Sequence, residues 1–152
     1  MSAKIRPASP HDIDALTELV GAYHQFEGIE LARDARAEAI LPLLNRDDLG
    51  RIWLIEVDGA VAGYIALCFG YSIEFAGRDA FVDEFFIREP YRGRGIGRMV
   101  LDLVAAEARQ LGVCALHLEV AKTNERAQRL YGAAGFEPRS KYQLMSLDLK
   151  SP

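Results

Sequence analysis

The order of elements along this chain predicts an α/β (α+β) fold: a mixed, mostly antiparallel central sheet of about six to seven strands with helices on both faces. Three observations carry that expectation. The turn dipeptide Asp58-Gly59 separates two apolar runs, 51–57 and 61–69, which is the pattern of an antiparallel hairpin. A strand-like run at 80–87 is followed by a glycine-rich turn and then by the most regular amphipathic stretch in the chain, 95–111. Beyond that stretch, strand and helix patterns alternate to the end.

Taken in order, Ile5 to Ala8 reads as a short opening strand. Ser9-Pro10-His11-Asp12 reads as a helix start: serine suits the cap, proline the first turn, and Asp12 the positive end of the helix. Ile13, Leu16, Val20 and Tyr23 continue at helical spacing, and a second helix is expected over Asp34 to Leu44. The hairpin follows, with strands Arg51 to Val57 and Val61 to Phe69, then a third long strand from Ala80 to Ile87. Ile96, Met99, Val100, Leu103, Val104 and Leu111 form one stripe on the next helix, which Gly112 ends. Ala115 to Val120 is expected as a strand, Asn124 to Ala134 as a helix closed by Gly135, and Tyr142 to Leu149 as a final strand.

The 152 residues suit one domain, taken as 3–152, with no linker, repeat or low-complexity stretch. Half the residues are hydrophobic and the formal net charge is -4, which argues against a nucleic-acid-binding face. No apolar run is long enough for a signal peptide or a membrane span, so a cytoplasmic protein is expected. Cys68 and Cys114 lie in apolar runs and neither neighbours a histidine or lysine in sequence. They read as core residues of a reducing compartment rather than as a disulfide, metal ligands or nucleophiles. No metal site is expected.

The most informative segment is Tyr91-Arg92-Gly93-Arg94-Gly95-Ile96-Gly97-Arg98. Alternating glycines remove the Cβ atoms that would hold an anion away from the main chain. The helix that follows offers unpaired N–H groups and a partial positive charge, and three arginines add formal charge. The turn therefore suits a phosphate or pyrophosphate. It lacks the Gly-Lys-Ser/Thr of a Walker loop, and Gly97 follows Gly95 too closely for a dinucleotide fingerprint. It fits Arg-x-x-Gly-x-Gly.

A second cluster lies downstream, where Asn124, Ala127 and Tyr131 share one helical face and Gly135-Phe136 follow. The two motifs, in this order, resemble the acetyl-CoA-binding pair of the GNAT superfamily of N-acetyltransferases, most strongly over 81–136. The resemblance implies the acyl-CoA fold of that family, with acetyl-CoA as co-substrate. It places Phe85, Phe86 and Ile87 along the pantetheine arm, and Gly93, Arg94, Gly95, Ile96, Gly97 and Arg98, with Arg92, around the pyrophosphate. Asn124 and Ala127 complete the cofactor side. It further implies that the strand at 80–87 splays from the one at 115–120 to admit the cofactor, and that the protein is a homodimer.

Catalysis would then be direct transfer. The acceptor amine attacks the thioester carbonyl, a main-chain N–H near Ile87 stabilises the oxyanion, and Tyr131 protonates the departing thiolate. Asp83 and Glu84 are candidates for the base. As neighbours on a strand they point to opposite faces, so one of them faces the cleft. Alignment with diamine acetyltransferases favours Asp83. The run 81–87 with Tyr91-Arg92-Gly93 resembles the diamine and thialysine branch, although that branch carries a carboxylate where this chain has His24. Glu27, Glu30, Glu74 and Asp79 would make the acceptor entrance acidic. His117, beside Glu119, reads as structural. The expected partner is a small-molecule amine, with no nucleic acid and no membrane. A protein or peptide N-acetyltransferase and a non-catalytic acetyl-CoA-binding module are the alternatives.

Overall fold

The computed structural model describes residues 2–150; Met1 and the last two positions of the expected 3–152 domain lie outside the described residues. Five strands form one sheet in the order β1-β2-β3-β4-β5. They are β1 (Ala3–Pro7), β2 (Gly50–Val57), β3 (Ala60–Ser72), β4 (Gly77–Ile87) and β5 (Ala115–His117). Neighbours run antiparallel from β1 to β4, and β5 lies parallel to β4. The β2–β3 hairpin turns at Asp58 and Gly59 with φ of 50° and 84°, the left-handed pair that suits the twist of a two-residue hairpin loop.

Helices cover both faces. From α3 (Ile96–Gln110), Ile96, Val100, Leu101 and Val104 pack on Trp53, Ile55, Ile65, Leu67, Ala80 and Val82, whereas Leu103, foreseen in the stripe, is exposed. On the opposite face, α1 (Ile13–Glu27) and α2 (Arg33–Asn45) pack Leu16, Leu19, Val20 and Ile40 on Ile52, Leu54, Tyr64, Ala66 and Phe86. The alternation along β2 and β3 thus sends successive residues to the two cores, each buried aliphatic contributing about 1.5–3 kcal/mol. The opening of α1 is set by Asp12, whose carboxylate accepts from the Ser9 N–H at 2.9 Å and pairs with Arg6 at 3.0 Å. The fourth helix, α4 (Glu125–Ala133), begins at Asn124.

One irregularity organises the site. Val82 pairs with Leu67 and Glu84 with Ala66, leaving Asp83 as an extra residue on β4. Such a bulge reverses the alternation. Ala80 and Val82 face α3, whereas Phe86, at the same even spacing, faces α1 and α2.

Two expectations need correction. The strand foreseen at Ala115 to Val120 is bonded only over Ala115–His117, because the chain diverges from β4 after His117. The final strand foreseen at Tyr142 to Leu149 does not form. Among the described residues that segment has no strand beside it, and Leu144, Met145, Leu147 and Leu149 are 60–87% exposed. The sheet therefore has five strands rather than six or seven.

Candidate active site

Where β4 and the chain after β5 part, a cleft of about 860 Å3 opens. Its walls are β4 from Phe81 to Ile87, residues 118–121 opposite, the amino end of α3, one side of α4, and the carboxyl end of α1. The splay comes from pairing β5 to only Asp79–Phe81, leaving the rest of β4 without a neighbour on that side.

The glycine-rich turn closes one end. Gly93 and Gly95 have φ of 76° and 77°, a left-handed conformation that a side chain disfavours. Gly95 caps α3, and the first helical bond runs from the Met99 N–H to the Gly95 carbonyl at 3.3 Å. The N–H groups of Ile96, Gly97 and Arg98 are thus without helical acceptors, and all three residues line the cleft. A Cβ on Gly97 would stand 3.1 Å from a Leu130 methyl, so glycine there also lets α3 and α4 approach closely.

The arginines divide by role. Arg92 lines the cleft, but its Nε donates to the Ile87 carbonyl at 2.7 Å and its guanidinium lies over the Phe26 and Phe86 rings. It ties the turn to the end of β4 and to α1. Arg98 lines the cleft and pairs with Asp102 at 3.2 Å. Arg94 is not among the lining residues; its guanidinium sits 6.0 Å from the Tyr91 ring centre. Arg126, which the motifs did not single out, is a further cation on the wall.

Phe85, Phe86, Ile87, Asn124 and Ala127 all line the cleft. The Asn124 side-chain oxygen accepts from the Ala127 N–H at 3.1 Å, so Asn124 caps α4 while its amide group borders the cavity. Tyr131 follows two turns later on the same face. Its ring meets Phe136 edge-on at 5.9 Å, and among the described residues its hydroxyl makes no hydrogen bond. Burial, and then the nearby Glu27, push its pKa above the ordinary phenol value.

The bulge separates the two carboxylates. Asp83 lines the cleft, and its pKa is raised, chiefly by desolvation and then by Glu84 and Glu119, against the opposing pull of His24. Glu84 does not line the cleft. Its two oxygens accept from His24 Nε2 at 2.6 Å and from the Tyr64 hydroxyl at 2.8 Å, between α1 and the sheet. His24 is buried, and its Nδ1 has no partner among the described residues. Of the carboxylates foreseen at the entrance, only Glu27 lines the cavity. Glu74 pairs with Arg139 at 2.7 Å, and Asp79 meets His117 Nε2 at 3.1 Å. Glu119 takes their place on the wall, and Tyr23, Phe26 and Ile29 add an aromatic and aliphatic lining beside Glu27. Among the described residues no cluster of histidine, cysteine or carboxylate groups could hold a metal ion, and no helix is long and apolar enough to cross a membrane.

Comparison with known proteins gives a consistent picture. The Acetyltransferase (GNAT) family model matches residues 13–136. A thialysine N-epsilon-acetyltransferase of Bos taurus is 37% identical over 75 residues, 49% of this chain and 44% of that protein. The L-ornithine N5-acetyltransferase NATA1 of Arabidopsis thaliana is 31% identical over 90 residues, 59% of this chain and 40% of that one. The match thus spans less than half the length of either curated relative. Among solved structures, an integron cassette protein from the mobile metagenome of Cole Harbour salt marsh superposes with a TM-score of 0.85 at 37% identity, covering 97% of this chain and 91% of its own.

Proposed function

Because the chain belongs to the GNAT family of acetyltransferases, we propose that it moves the acetyl group of acetyl-CoA directly to a primary amine of a small molecule. One observation carries the reading. A single cleft joins an anion-binding end, made of Gly93, Gly95 and the first N–H groups of α3, to a reacting end that holds Asp83 and Tyr131. The names of the thialysine and ornithine acetyltransferases support an amine acceptor. The carboxylates Glu27, Asp83 and Glu119 suit a cationic one.

In this reading the turn holds the pyrophosphate, and Arg98 and Arg126 supply charge near it. The main chain of Phe85 to Ile87, which has no strand beside it on the cleft side, bonds the pantetheine arm. Asp83 takes a proton from the ammonium, and the amine nitrogen then forms its bond to the thioester carbon. The carbon–sulfur bond breaks as the Tyr131 hydroxyl gives its proton to the thiolate, and the surplus proton on the new amide nitrogen is shed to restore the Tyr131 hydroxyl. The raised pKa of each group suits its part: Asp83 becomes a stronger base, and Tyr131 stays protonated at neutral pH. Cys68 is half-buried and Cys114 exposed, rather than both in the core, but two free thiols still fit a reducing cytoplasm, and the family resemblance supports a homodimer.

The test is ligand-dependent melting. A ligand that binds only the folded state adds about 2.7 kcal/mol at a hundred times its dissociation constant. Acetyl-CoA should raise the melting temperature, and ATP and NAD should not. A shift with ATP or NAD alone would remove the cofactor assignment.

A further inference from the structure

A second hollow of about 350 Å3 lies between α1, α2 and the residue that follows β4, and it shares no lining residue with the cleft. Arg33, Arg36 and Arg88 line it against a single carboxylate, Glu18, in a chain whose formal net charge is -4. The three guanidiniums converge there. Arg33 most, and after it Arg36 and Arg88, hold the Glu18 carboxyl below its usual range.

Of the three, only Arg33 is neutralised. It pairs with Glu18, which, ahead of Asp14 and Asp34, raises its pKa. Arg36 is held by carbonyls instead. Its Nε donates to the Leu31 carbonyl at 3.1 Å and its Nη1 to the Thr17 carbonyl at 2.9 Å. These bonds lay the guanidinium against α1 at Gly21, where a Cβ would collide with Nη1. Gly21 lies inside the helix, a place where glycine is the poorest residue after proline. The sequence thus gives up helix stability at the point where Arg36 needs room. Among the described residues, Nη2 of Arg36 has no partner. The Arg88 N–H donates to the Ala62 carbonyl at 2.8 Å, which fixes its main chain, while its exposed side chain bonds to no described group.

We propose that this hollow binds a small oxyanion of the phosphate type, held by the fixed Arg36 and by Arg88, with the Gln25 amide as a further donor. A guanidinium presents its N–H groups in a planar fork that matches two oxygens of such an anion, and these charge-assisted bonds are stronger than neutral ones. Arg36 is ordered before the anion arrives, so little side-chain freedom is lost on binding. The site stands apart from the glycine turn and does not rest on the transferase reading. Gly21 and Gln25 border the hollow while Tyr23 and Glu27 border the cleft, so an occupant braces a helix that also walls the cleft.

The test titrates inorganic phosphate, and separately glycerol 3-phosphate, into the full chain at an ionic strength held constant with chloride. Nuclear magnetic resonance follows the side-chain Nε–H signals of Arg36 and Arg88, identified by substitution. Both signals should move saturably with phosphate and stay in place with chloride. Tighter binding of the ester makes a phosphorylated small molecule the occupant, and equal binding makes it the free ion. Arg88→Gln, at an exposed position, should weaken binding about tenfold or more, the loss of one charge-assisted contact. Gly21→Ala favours the helix but displaces Arg36, so it should keep its circular dichroism and weaken binding as well. With CoA present, the Arg36 and Arg88 shifts should persist. Shifts that never saturate mark an adventitious ion only and overturn the site, as do an unchanged affinity in Arg88→Gln and shifts that CoA abolishes. The readout lies at two side chains outside the cleft, so it decides the site whether or not the protein acetylates an amine.

Discussion

Tyr131→Phe isolates the proton that the proposed reaction needs at sulfur. The ring meets Phe136 at 5.9 Å, and the hydroxyl bonds to no other described group, so the substitution removes one oxygen without stranding a partner. Stability and acetyl-CoA affinity should change little, since the loss of the hydroxyl leaves no hydrogen-bond partner unsatisfied. General acids contribute about 10²–10⁴-fold. Burial has raised the Tyr131 pKa, making it a weaker acid than a free phenol, while the thiol it protonates titrates near about 8.5. The loss in kcat should therefore fall at the lower end, about 100-fold, or about 2.7 kcal/mol in barrier. The sign of the pH effect follows. The active form is protonated and its pKa is raised, so kcat of the parent holds through neutral pH and declines only above the ordinary phenol range. The assay is steady-state release of CoA thiol from pH 6 to 10, with acetyl-CoA affinity measured by calorimetry. A Phe variant within about twofold of the parent, about 0.4 kcal/mol, would refute the assignment.

Further outcomes follow from the same geometry. Asp83→Asn should cut kcat/KM by about 10²–10⁴-fold and abolish the acidic limb of its pH profile, which in the parent lies above the ordinary aspartate range. Because the folded-state pKa of Asp83 is raised, the native state holds its proton longer than the unfolded chain, so this group lowers stability as pH rises through that window. Thermal melts at pH 7 should accordingly show Asp83→Asn no less stable than the parent. Gly95→Ala meets no atom within 4 Å but must adopt φ of 77°, which costs about 1–2 kcal/mol and about 2–8 °C in Tm. Gly59→Ala carries the same strain far from the cleft. Calorimetry should therefore find acetyl-CoA affinity reduced only in the Gly95 variant. Tyr64→Phe strips one of the two bonds to the Glu84 carboxylate and should cost about 1.5–3 kcal/mol in denaturant unfolding. An unchanged midpoint would mean that Glu84 is solvated rather than held.

Local patterns in the sequence were faithful guides to local structure. Asp58-Gly59 specifies a left-handed turn wherever it sits, and the stripe of α3 specifies one buried face, so both elements stand within a few residues of where the pattern placed them. The glycine turn is legible for the same reason, since its conformation belongs to its own residues. What depended on neighbours was not legible. A period of two at Tyr142 to Leu149 states a backbone preference but names no strand to pair with, and none stands beside it. The bulge at Asp83 arises from the register of β4 on β3, which no single strand encodes. That bulge decides which carboxylate meets the cleft and which is enclosed by His24 and Tyr64. Charge counting failed likewise for Glu74 and Asp79, whose partners, Arg139 and His117, come from distant parts of the chain. Arg92 fits its motif, yet its Nε bonds to the Ile87 carbonyl, so part of its role is to fix the turn.

The central claim is group transfer to an amine. The most direct measurement is CoA thiol release in the presence of acetyl-CoA and a panel of primary amines, among them lysine-like, ornithine-like and aminoglycoside-like compounds, with the products weighed by mass spectrometry. The account predicts that at least one cationic amine raises thiol release far above the amine-free rate, that the amine gains one acetyl group, and that Tyr131→Phe slows the reaction about 100-fold. If acetyl-CoA raises the melting temperature while every amine leaves thiol release at the amine-free rate, the protein holds the cofactor without using it, and the transferase account is contradicted.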